Sequence, residues 1–274
     1  AQLIALGTLQ LQSLQTAQAA VLTAAQMAAW KTSQLAAMET ADLAAVATSS
    51  LQALGARQIA ALTALQVAGL TTGQAAALTS AQVAALTTTQ LAAIQTADLA
   101  ALGVGSLRAM GTAPFATLST VQMAALDVKQ IMGLATTHIA VMSTAHIAGL
   151  TTIQMAALGT TNVAALSSAQ LLAMETVTIA SLTSSALQTL NQSGTEQLVA
   201  LTTAQAAGLT QVSVGALTTR QLLAMETTDV SALSIGSLSG IGTTQIAALS
   251  AVHMAALRTT QVAALGTAQL AALS

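Results

Sequence analysis

The sequence predicts an all-α solenoid of very short capped helices, one for each eight-residue repeat. Three observations carry that prediction. A large apolar residue recurs at every eighth position, the motif S/T-x-x-Q follows it in octad after octad, and Ala fills most of the remainder. Stepping by eight from Leu6 meets Leu14, Leu22, Trp30, Met38 and so on to Leu190, 24 residues in all, every one large and apolar. One octad is then stretched by three residues, around Asn191-Gln192-Ser193-Gly194, and ten more anchors run from Leu201 to Leu273.

Written from the anchor, the octad is L-T-T-x-Q-[VIL]-A-A, and Leu78-Thr79-Ser80-Ala81-Gln82-Val83-Ala84-Ala85 shows it cleanly. One continuous α-helix does not fit: eight residues overshoot two turns by about 80°, so the anchors spiral around the axis and form no stripe. A strand needs period-two alternation, and Ala is a poor strand former but the best helix former. A β-solenoid with eight-residue rungs is the alternative, favoured only by the Thr content.

Short helices satisfy each position. S/T-x-x-Q is a capping box, and the apolar residues flanking it form a hydrophobic staple. The cap falls on the first or the second Thr, a choice the spacing leaves open. Pro114, at position 5, suits a first helical turn. Gly7, Gly55, Gly103, Gly111, Gly159, Gly242 and Gly266, all at position 2, read as helix ends. Helices of one and a half turns are unstable alone, so they must stack. Positions 1, 6 and 8 are assigned to the shared core. In the middle of the chain the large members are Leu62, Leu70, Leu78, Leu86, Ile94 and Leu102 at position 1, and Val83, Leu91 and Leu99 at position 6. Each such side chain contributes roughly 2 kcal/mol when buried.

The expected organisation is a single repeat domain, 1–274, of about 34 octads, with a protruding turn or kink from the insertion near 191–197. Four acidic variants, at Met38-Glu39, Ile94-Gln95 (with Asp98), Met174-Glu175 and Met225-Glu226, hint at a duplicated longer block at unequal spacing. The chain opens at position 4 of an octad and stops at position 2, with no polar capping repeat. It reads either as a segment of a longer protein or as a subunit that stacks on copies of itself. No signal peptide is expected from the Ala1-Gln2-Leu3 start.

Composition excludes several function classes. Net charge is −2, with six scattered cations, so no electrostatic footprint for nucleic acid exists. Without Cys there are no disulfides and no thiolate metal sites. No apolar run approaches a membrane span. The Ser residues lack a nucleophile elbow, so no catalytic residue is assigned and no cofactor is expected.

Two candidate sites merit weighing. His138 and His146 stand at position 5 in successive octads and are the only candidate metal ligands. Like His253, they read more simply as imidazoles replacing Gln. Asp42, Asp98 and Asp229, also at position 5, are too dispersed to collect the six to eight oxygens Ca²⁺ requires. Helix N-terminal placement explains them.

The tandem L-[TS]-[TS]-x-Q-[VIL]-A-A array resembles those of very large secreted bacterial surface proteins, adhesin-like or of the haem-utilisation/adhesion type. It covers nearly the whole chain. The octad opening is also similar to the L-T-P-E-Q-V start of TAL-effector repeats, but the base-reading residues have no counterpart here. The first resemblance implies an extracellular or cell-surface, non-enzymatic role: a fibre, sheath or adhesin stalk whose partners are copies of itself. The alternative is a binding module that presents a regular Thr/Ser face to a polysaccharide or to ice.

Overall fold

The computed structural model describes residues 7–190 and 196–273. Among them are 33 short α-helices, each of four to six residues, and no strand. The sequence's eight-residue period is therefore one helix per octad, and the β-solenoid alternative is overturned.

The octad around Leu78 shows why. Its helix, α10 (Ser80–Ala84), is capped by Thr79, whose hydroxyl accepts the Gln82 N–H at 3.3 Å. The Gln82 side-chain Oε1 in turn accepts the Thr79 N–H at 3.0 Å. The cap is thus the first Thr of L-T-T, which settles the choice left open by the spacing. Two N–H groups that a short helix would leave without intrahelical partners are satisfied reciprocally. Ala85 closes the helix at φ −87°, ψ −8°. The bend is then two extended residues, as at Leu102 (φ −60°, ψ 136°) and Thr79 (φ −71°, ψ 159°).

Two sequence expectations need correction. The position-2 glycines do not end helices. Gly55, Gly111 and Gly242 cap the helices that follow them, in extended conformations with φ of −76°, −66° and −73°. Gly suits this place because a cap tolerates it almost as well as Ser or Thr. Among the described glycines only Gly159 has positive φ, at 29°. Position 8, in turn, is half-buried rather than core: Ala85 and Gly69 keep partial exposure, whereas positions 1, 5 and 6 (Leu78, Gln82 and Val83) are buried. At positions 1 and 6, Leu62, Leu70, Val83, Leu91, Leu99 and Leu102 are buried.

The chain divides into two compact units, Ala1–Val141 and Met142–Ser274. Each is an all-α solenoid built by one rule, in which a helix packs on the helix three octads away. In the first unit α10 lies between α7 (Ala56–Ala60) and α13 (Val104–Arg108). In the second, α26 (Gln211–Ala216) lies between α23 (Ser184–Thr189) and α29 (Ile235–Leu238). The expected turn or kink at 191–195 lies outside the described residues.

Small residues fit where coils approach. A Cβ on Gly69 would lie 2.0 Å from the Thr40 methyl, and one on Gly208 would lie 1.9 Å from the Thr176 methyl. Both pairs join position 8 to position 3 three octads earlier, so a missing side chain on one coil holds a methyl from the other.

Candidate functional site

The chemistry of this chain is concentrated at position 5, and it is turned inward. Gln82 is buried. Beyond its cap bond, its Nε2 donates to the carbonyls of Leu51 and Leu54, both at 2.9 Å, 31 and 28 residues back. Leu51 sits in the last turn of the helix four octads earlier, and Leu54 sits in the bend that follows it. These are carbonyls that a helix end and a buried bend would otherwise leave unsatisfied. One amide therefore caps its own helix and ties two coils together. The 28-residue reach, three and a half octads, sets the size of the coil.

The bond set repeats. Gln66 reaches Leu35 and Met38, Gln90 reaches Ile59 and Leu62, and Gln130 reaches Leu99 and Leu102. In the second unit Gln261 reaches Val230 and Leu233, and Gln269 reaches Leu238 and Ile241. Where the three extra residues intervene, the same octads still meet, at larger separation. Gln205 bonds Leu171 and Met174, 34 and 31 residues back. Gln205 thus keeps the same pair of octads as partners.

Sequence reasoning found the cap but not the coil-to-coil donor. The signal was present: Gln fills 20 of 34 position-5 places and Glu fills none. A capping box accepts either residue, but only an amide adds donors to the acceptor.

The other position-5 residues imitate Gln to different degrees. His138 Nδ1 accepts the Ala135 N–H at 3.2 Å, and its Nε2 lies 2.9 Å from the Met110 carbonyl. Those partners fix the tautomer: Nδ1 is bare and Nε2 carries the proton. His253 repeats the pattern, with Nε2 3.0 Å from the Met225 carbonyl and Nδ1 2.7 Å from Ser250 Oγ. His146 Nδ1 accepts the Ser143 N–H at 3.2 Å. Of the two candidate metal ligands, His138 therefore has both ring nitrogens engaged. No group of three or more His, Cys, Asp or Glu that could hold a metal occurs among the described residues.

Three of the position-5 serines keep one coil-to-coil bond, Ser50 to Leu22 at 2.7 Å, Ser106 to Leu78 at 3.1 Å and Ser237 to Leu209 at 2.5 Å, whereas Ser213 pairs with the Thr210 hydroxyl of its own octad at 2.8 Å. Ionised Asp has no proton to donate. Asp98 instead accepts the Thr72 hydroxyl at 2.8 Å through Oδ1, while its buried Oδ2 has no partner. Asp42 Oδ2 is likewise buried and unpartnered. Asp229 is held above its ordinary pKa of 3.8, chiefly by burial. The Thr203 hydroxyl opposes this and the neighbouring Glu226 charge adds to it.

An open groove of about 610 Å³ in the first unit is lined by Gln12, Met38, Glu39, Thr40, Thr63 and Leu65. Glu39 is its one charged side chain, and no acid–base pair lies there.

The fold and its inward polar ladder define a class, the all-α repeat solenoid. Within that class, the ALTTAQ repeat family model matches the chain at residues 35–72, 91–128, 222–259 and 240–274. The chain is similar to that family over these segments, and Ala200-Leu201-Thr202-Thr203-Ala204-Gln205 spells the motif. The first two matches begin 56 residues apart, which is seven octads or two coils. Comparison with the curated proteins found no match. No helix among the described residues is long and apolar enough to cross a membrane.

Proposed function

We propose that this chain is a non-enzymatic structural protein of the bacterial cell surface or extracellular matrix. It forms a fibre, sheath or adhesin stalk by stacking coils on copies of itself. The observation that carries the reading is the position-5 ladder. Its buried polar side chains are engaged in holding coil to coil, and the bond each octad makes backward is the bond it can receive from the next. Such an interface has no built-in end. In the second unit, position 6 is covered in most octads but exposed at Val262 (39%) and Leu270 (46%). A further coil, from a second copy or from continuing chain, would bury them.

The reading is tested by electron microscopy and sedimentation of the 274-residue chain at rising concentration. Rods or filaments are expected, and they should be lost in a Val262→Asp/Leu270→Asp variant that keeps its helical circular dichroism. Dispersed monomers at high concentration would overturn the proposal. A polysaccharide- or ice-binding face has weaker support. Position-2 hydroxyls such as Thr79 and Thr87 are used in caps, and Val104, Val128 and Ile235 interrupt position 3.

A further inference from the structure

The Asp-bearing octads contain a device that the structural role does not require. Gln82, His138 and Ser237 each meet a carbonyl 28 residues back, and Gln205 meets one 31 back across the insertion. Ser237 does so with a side chain one atom shorter than Asp, so an Asp at this position has the reach. For Asp229 the corresponding carbonyl is that of Leu201, position 1 three octads earlier. We propose that Asp229 works as a protonated acid, donating its carboxyl proton to the Leu201 carbonyl, so that acid locks this coil to the one before it and neutral pH loosens the lock.

Geometry supports this from every side. Asp229 is 2% exposed, which disfavours a charge there. Its helix, α28 (Thr227–Ala232), packs on α25 (Thr203–Gly208) and α31 (Ala251–Ala256). From α25 comes the Thr203 hydroxyl, which bonds the carboxyl, and no charged residue. From α31 comes His253, whose two ring nitrogens are committed to Met225 and Ser250. Arg258, just after α31, donates to the Leu233 carbonyl at 3.2 Å rather than to Asp229. On its own octad the nearest charge is Glu226, of the same sign. At the equivalent Asp98, Thr72 takes Oδ1 and leaves Oδ2 the free oxygen, which can bond a carbonyl only if it carries a proton.

Protonation takes one proton from solvent and leaves a neutral carboxyl: one oxygen accepts from Thr203 and the O–H donates to Leu201. The raised folded pKa agrees. Below 3.8 the folded and unfolded chains are both protonated at this group. As pH rises above that value the unfolded chain ionises first, so this group's contribution to stability falls until the folded carboxyl ionises too.

The test is a carboxyl-carbon NMR titration of Asp229 in the intact chain, paired with unfolding midpoints against pH for the wild type and Asp229→Asn. The titration midpoint should lie above 3.8, and the wild-type midpoint should fall relative to the variant as pH is raised. Should Asp229→Asn fail to fold, Asp229→Ser, which keeps a donor and does not titrate, takes its place. A titration midpoint at or below 3.8, or parallel stability profiles, would overturn the proposal.

Discussion

Two octads of the first unit, those containing Gln82 and Asp98, share a backbone path and differ in what binds them to the coil before. The Gln82 octad is capped by Thr79 and sends two amide hydrogen bonds to the previous coil. The Asp98 octad has Gln95 at its cap with no side-chain cap bond, and its carboxylate only receives, from Thr72. Both octads nevertheless bury their position-1 and position-6 residues equally well: Leu78 and Val83 in one, Ile94 and Leu99 in the other. Apolar burial therefore forms the solenoid, and the position-5 amide fixes which backbone carbonyls each coil covers. The second unit offers a third solution. Ser237 makes one bond to the earlier coil, and Gly240 brings the backbones together: a Cβ there would lie 2.1 Å from the Gln211 carbonyl oxygen.

The largest effect separates capping from coil-joining. Gln82→Glu keeps an acceptor for the Thr79 N–H but sets a carboxylate oxygen against the Leu51 and Leu54 carbonyls. Stability should fall by roughly 3–5 kcal/mol, the range for an uncompensated buried charge, read by urea unfolding followed by circular dichroism. A loss of about 1 kcal/mol, no more than a cap substitution produces, would mean that the amide acts only as a cap.

Next is Gly240→Ala. Its methyl meets backbone rather than a movable side chain, so the two coils must separate, at a cost of roughly 1–3 kcal/mol. The same substitution at Gly73, where a Cβ meets nothing within 4 Å, should be neutral or stabilising by up to about 1 kcal/mol. Equal effects at the two sites would remove the argument that Gly240 is a contact residue.

Much of this was legible in the octad itself, because capping and staple chemistry are local. The helix start, the Leu–Val burial pair and the place of Pro114 in the first turn all follow from residues within eight positions of each other. The coil size did not, because it depends on how successive bends sum in space, and no octad records that sum. The carbonyls that Gln82 reaches are 28 and 31 residues away and are backbone, so they leave no trace in side-chain pattern. The position-2 glycines misled for a related reason: one residue ends a bend and starts a helix, and only its backbone φ tells which role it plays. The preference for Gln over Glu was the one available clue to the ladder, and it becomes decisive only when a buried acceptor is known to face the amide.

The smallest effect runs in the opposite direction and converts one octad of the comparison into the other. Asp98→Gln supplies a position-5 amide beside that of Gln95, which already donates to the Ala68 carbonyl at 2.7 Å. The carbonyls in line for it, by the 28- and 31-residue rule, are those of Leu70 and Val67. The substitution also removes a buried carboxylate oxygen that has no partner. Gln74 shows that the space is adequate, since the residue 26 positions before it is Thr48, as Thr72 is for Asp98. Gln74 still bonds Leu43 and Val46, both at 2.8 Å. Two new bonds to backbone carbonyls should add roughly 1–2 kcal/mol. The gain should appear as a higher urea midpoint with an unchanged denaturant slope. A loss of stability would show that the Asp98–Thr72 bond serves the fold better than the amide does, and that the acidic octads are not weakened copies of the plain ones.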